Sequence, residues 1–125
     1  MDETALSRLI IGAAIEVHRQ LGPGLFESAY EECLAFEFAD LQIPFERQKP
    51  LPLLYKGRRL DGGFRLDFLV GGIVVIELKT VDKVIPVHAT QMLTYLKLTH
   101  CKLGLLLNFN VPRLGLGIKR FVLNL

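Results

Sequence analysis

Asp67, Glu77 and Lys79 are ionisable residues set inside two apolar runs, Phe64 to Val70 and Val74 to Thr80, which flank Gly71-Gly72. The runs read as strands and the glycine pair as a hairpin turn. Strand side chains alternate, so Glu77 and Lys79 share a face with Val75, while Asp67 shares one with Arg65. Loop length decides whether those faces coincide. A two-residue turn sets Val70 against Ile73 and Asp67 against Ile76, which separates the carboxylates. A three-residue loop, Gly71-Gly72-Ile73, sets Val70 against Val74 and Asp67 against Glu77. Glycine enters the left-handed region that such a loop needs, so the second register, or an equivalent bulge, is expected.

In that register two carboxylates stand ~4.5–5.5 Å apart at Cβ, and like charges so opposed are destabilising. A hard divalent cation, Mg²⁺ or Mn²⁺, is the simplest compensation, because carboxylate oxygens and water suit it. Lys79 beside such a centre could orient or deprotonate an attacking water and stabilise charge on a phosphorane-like transition state. The competing reading is a surface charge cluster laced by Arg65 and Lys79. Three ionisable groups inside strands this apolar favour a site.

The elements that must carry these residues follow from periodicity. Thr4 to Gln20 reads as a helix with Leu6, Leu9, Ile10, Ala13 and Val17 at three- and four-residue steps. Ile11, Ala14 and Ile15 widen its apolar stripe, which predicts burial on more than one side, and Gly22-Pro23-Gly24 stops it. A second helix is expected from about Leu25 to Leu41, with Phe26, Ala29, Tyr30, Cys33, Leu34 and Phe38 as its apolar positions. Gln48 to Tyr55 contains Pro50 and Pro52, so it reads as an edge strand. Val84 to Thr99 returns to helical spacing. Lys102 to Phe109 is a strand apolar enough to be buried on both faces, and a last strand, about Ile118 to Leu123, is expected beside it. The fold class is therefore α/β, in the order ααβββαββ, with a mixed sheet flanked by helices.

With 125 residues, half of them hydrophobic, residues 1–125 are expected to form a single domain. A mean hydropathy of +0.34 raises the expectation of a homodimer. No apolar run is long enough to span a bilayer, and the acidic start (Asp2, Glu3) does not resemble an export signal, so a cytoplasmic location is expected. Cys33 and Cys101 lack metal-ligand spacing and read as small buried thiols. A net charge of +2 neither marks nor excludes a nucleic-acid partner.

Asp67 followed by Glu77-Leu78-Lys79 resembles the D…(D/E)-x-K signature of the PD-(D/E)xK nuclease superfamily. The segment Gly24-Leu25-Phe26-Glu27-Ser28-Ala29-Tyr30 resembles the motif of the GxxExxY family within it. The likeness extends through Gln91-x-x-x-Tyr95 and Leu105 to Phe109 as far as Lys119-Arg120, nearly the whole chain. One departure is Leu66, where the superfamily often places proline.

This resemblance implies a restriction-endonuclease-like core. It implies Asp67 and Glu77 as metal ligands, with the Leu78 carbonyl as a third, and Lys79 as the catalytic lysine. Glu27 matches a helix-borne acid that completes the metal shell or holds a water there. Gln91 and Tyr95 match a substrate-binding element. Read without the resemblance, Glu27 is a first-turn acid that the helix dipole favours. Tyr95 could be core, with Gln91 satisfying its hydroxyl. His18 and His88 could each donate to a carboxylate, although core or solvated histidines are commoner.

The function expected is Mg²⁺- or Mn²⁺-dependent hydrolysis of phosphodiesters in DNA or RNA. A non-catalytic nucleic-acid or protein interaction module on the same scaffold is the alternative, and hydrolysis of another phosphate compound such as a nucleotide is a third.

Overall fold

A computed structural model describes residues 1–124. Helix α1 (Glu3–Leu21) starts where the Asp2 carboxylate accepts the Ala5 N–H at 2.8 Å, and ends at Gly22, whose φ of 69° lies in the left-handed region. Helix α2 (Glu27–Asp40) follows, then strands β1 (Phe45–Tyr55), β2 (Arg58–Val70) and β3 (Val74–Lys79). Helix α3 (Pro86–Thr99) leads to β4 (Leu103–Asn108), a short 3₁₀ turn at Leu114–Gly117, and β5 (Ile118–Val122). The α/β class and the expected order are both observed.

The five strands lie in the order β1-β2-β3-β4-β5. Only β3 and β4 run parallel, and α3 makes the crossover that a parallel pair requires. Strand β1 is an edge, as its prolines predicted, and its register against β2 shifts between Leu51 and Leu53, at Pro52. Strand β4 is buried along its whole length.

Each sheet face carries one apolar layer. Helices α1 and α2 cover Phe68, Val70, Val74, Ile76, Leu78, Leu103, Leu105 and Leu107 with Leu6, Ile10, Val17, Leu34 and Phe38. On the other face α3 covers Leu66, Leu69, Val75 and Leu106 with Met92, Tyr95 and Leu96.

Three expectations are corrected. Helix α1 buries one stripe, and Leu9 and Ile15 stay exposed, because the sheet meets it on a single side. Helix α2 starts at Glu27, since Phe26 is extended and serves as N-cap, with its ring 85% exposed instead of packed. Cys101 is buried but Cys33 only partly so. No described helix is long and apolar enough to cross a membrane.

Candidate active site

The loop between β2 and β3 sets the site. Val70 pairs with Val74, Leu69 with Val75 and Phe68 with Ile76, so the loop is the three-residue Gly71-Gly72-Ile73. Both glycines are left-handed, with φ of 60° and 73°, and the Ile73 N–H closes the turn on the Val70 carbonyl at 3.1 Å. Continued by one rung, this register puts Asp67 opposite Glu77, as the loop reading predicted.

Regular pairing stops one rung short of the carboxylates. There the side chains take over the ladder: Asp67 Oδ2 accepts the Leu78 N–H at 2.7 Å, and Glu77 Oε1 accepts the Asp67 N–H at 3.2 Å. Each acid therefore sits against the other's strand. Leu66 and Leu69 both face α3, which a regular strand forbids for residues three apart, so β2 turns over at Asp67.

Burial costs these acids their hydration. Glu77 is only 7% exposed, and desolvation, then the Asp67 charge, push its pKa from an ordinary 4.5 to about 8. Asp67 is also pushed up, chiefly by burial, against the opposing pull of the Leu78 N–H. Glu27, at the start of α2, is raised by desolvation and by the Asp67 charge, and is opposed by Lys79. The three acids and Lys79 thus act on one another at the end of the sheet where β2 parts from β3.

Supporting contacts fix this end. Tyr30 is fully buried and stacks on Phe109 at 4.4 Å between ring centroids. Its hydroxyl donates to the Gly22 carbonyl at 2.6 Å and accepts the Leu25 N–H at 3.2 Å, which pins the turn presenting Glu27. Lys79 ends β3 opposite Asn108. The Asn108 amide accepts the Val81 N–H at 3.1 Å and donates to the Val81 carbonyl at 2.9 Å, fixing the chain just past Lys79.

Tyr95 is core: it packs edge-on to Phe64, and burial followed by the charges of Glu77 and Asp67 pushes its pKa up to about 12. Gln91 is half-buried one turn earlier, and no hydrogen bond among the described residues joins it to Tyr95. Neither histidine serves a carboxylate: His18 Nε2 lies between the Phe109 and Val111 carbonyls, and His88 Nδ1 accepts the Ile85 N–H.

The spacing that puts Tyr30 and Glu31 on the helix face of Glu27 is legible in the sequence, but sequence reasoning did not assign Gln48 or Asn108 to this region. Asn108 is the polar end of an apolar run. Nothing in the spacing marks Gln48.

Among the described residues no group of three His, Cys, Asp or Glu side chains is arranged to hold a divalent cation. A buried and a half-buried carboxylate side by side, Glu77 and Asp67, each accepting one backbone N–H, nevertheless match the one- or two-carboxylate sites that Mg²⁺ occupies with water and phosphate.

An α/β sheet with paired acids and a lysine where two strands diverge is the arrangement that the D…(D/E)-x-K resemblance implied. The sequence family described as the PD-(D/E)XK nuclease superfamily matches residues 4–121, and the chain belongs to it. A search of curated proteins and one of solved structures each returned no match. Nucleases of this superfamily generally use divalent metal ions.

Proposed function

We propose that this chain is a nuclease of the GxxExxY type that hydrolyses phosphodiester bonds in DNA or RNA with Mg²⁺ or Mn²⁺. The observation that carries the reading is the side-chain rung, which places Asp67 and Glu77 together inside the sheet with Lys79 two residues on. Asp67 and Glu77 would hold the cation, with the Leu78 carbonyl and Glu27 completing its shell. When bound, the cation would neutralise phosphate charge and lower the pKa of water.

The chain's own groups do the rest. Lys79 orients the attacking water and offers positive charge to the phosphoryl oxygens as the new P–O bond forms. Glu27, whose carboxyl feels the charges of Asp67 and Lys79, would hold a water at this centre and can accept the proton that it loses. The P–O bond to the departing nucleoside then breaks, and the leaving oxygen takes a proton. Gln91 lies on α3 between His88, which feels the Lys79 charge, and Tyr95, which feels Glu77 and Asp67, and would contact substrate. Tyr95 supports it from the core.

A labelled DNA or RNA oligonucleotide incubated with Mn²⁺ and with Mg²⁺ tests this reading. Lys79→Ala should lower cleavage at least about 100-fold while Mn²⁺ still binds. Among the described residues no three-ligand cluster is preformed, which favours a second reading, an interaction module without catalysis. That reading is supported if no metal yields cleavage and oligonucleotide binding survives Asp67→Ala. A homodimer belongs to the proposal, because Phe36, Leu54, Tyr55 and Leu116 are exposed, and a sedimentation mass near twice 14.1 kDa would support it.

A further inference from the structure

Strands β1 and β2 pair continuously from Phe45↔Val70 to Leu51↔Phe64 except at one rung, Gln48 opposite Asp67. Gln48 has a φ of 47°, in the left-handed region that glutamine rarely adopts. The kink has a visible consequence. Arg47 donates to Glu31 Oε2 at 2.9 Å, and Gln48, the next residue, donates to Glu31 Oε1. Successive side chains of a regular strand point to opposite faces, so both can reach one carboxylate only through the kink.

The same Gln48 Nε2 also donates to Asp67 Oδ1 at 3.3 Å. Because Asp67 Oδ2 already accepts the Leu78 N–H, both oxygens of the site aspartate are anchored. Both oxygens of Glu31 are occupied as well, by Arg47 and Gln48, which makes Glu31 a support for the amide and not a ligand. An amide nitrogen carries two N–H groups and can serve two carboxylates at once. A glutamate in its place would repel both.

We propose that Gln48, braced by Glu31, is a positioning residue that holds the Asp67 carboxylate in its working orientation. The inference rests on the reading of Asp67 as a chemistry-bearing acid, and it concerns a residue that the D…ExK pattern does not contain. The left-handed backbone is then retained because it aims the amide.

Gln48→Gly separates the two roles, since glycine keeps the left-handed backbone and deletes the amide. Gln48→Asn is the companion variant: asparagine also tolerates the conformation and is one methylene shorter. In the metal-free protein the Leu78 amide proton should exchange about tenfold faster in both variants, with the thermal midpoint unchanged, because Gln48 is exposed. Mn²⁺ should bind roughly 10-fold more weakly by titration calorimetry, in line with lost support behind a ligand. On an oligonucleotide, kcat should fall with KM held within about twofold. Wild-type Leu78 exchange together with wild-type Mn²⁺ affinity in Gln48→Gly would overturn the proposal. Failure of the wild-type protein to bind Mn²⁺ would sink the nuclease reading instead, and the Leu78 exchange rate would still decide the role of Gln48.

Discussion

At the scale of single residues, Glu77 links the site's chemistry to stability. Its pKa is raised to about 8 by burial and by Asp67, so the folded metal-free protein favours the protonated form. The unfolded chain ionises this group near 4.5. Stability from the protonated Glu77 is thus complete below pH 4.5, declines above it, and is gone once pH passes about 8. Asp67 and Glu27 are shifted in the same direction and add to the slope. The metal-free melting temperature should fall between pH 5 and pH 8.5, and Glu77→Gln should flatten the fall. Mn²⁺ must displace the proton, so its affinity should rise over the same range; an affinity independent of pH would contradict this assignment. Asp67, Glu77 and Lys79 were legible as a group because strand alternation and a Gly-Gly loop place them by counting. Gln48 was not, and neither was the contact by which Glu31 braces it, because both depend on a left-handed residue and a helix-to-strand approach that no local pattern encodes.

At the scale of elements, the turn before α2 and the loop before β3 deliver the acids. Tyr30→Phe removes a buried hydroxyl with two backbone partners, and denaturant unfolding should show a loss of about 1–2 kcal/mol. The Leu25 to Glu27 turn loses its pin in that variant, so cleavage should weaken too. Gly71→Ala should cost roughly 1–2 kcal/mol, because its φ is 60° and a Cβ there would meet Leu6 Cδ2 at 2.9 Å. A larger effect on activity than on stability would show that the loop sets the carboxylate register. The strands and α3 were readable from periodicity to within a few residues, apart from β2, which begins at Arg58 and not Phe64. Its early part, Arg58 to Leu60, pairs with Leu53 to Tyr55 of β1, and the irregular Asp61-Gly62-Gly63 stretch opposite Pro52 hid the extended structure. The start of α2 was misplaced because Phe26 has the apolar character of a core position while Gly24, with φ of 95°, turns the chain outward.

At the scale of the molecule, two helices cover one sheet face and one covers the other, and Asp67 and Lys79 stay half-buried where β2 parts from β3. The α/β class was readable because β4 is uniformly apolar while the helices are amphipathic, a contrast that requires a sheet covered on both sides. Occupancy of the site should stabilise the whole fold: Mn²⁺ at ~100 times its Kd adds about 2.7 kcal/mol, or roughly 10 °C in Tm for a chain of this length. Asp67→Ala should abolish that shift. The most direct test is anomalous diffraction from a crystal grown with Mn²⁺. A manganese peak bridging the Asp67 and Glu77 carboxylates is the predicted result. Full-occupancy manganese elsewhere, with these two acids still closed on the Leu78 and Asp67 amides, would contradict it.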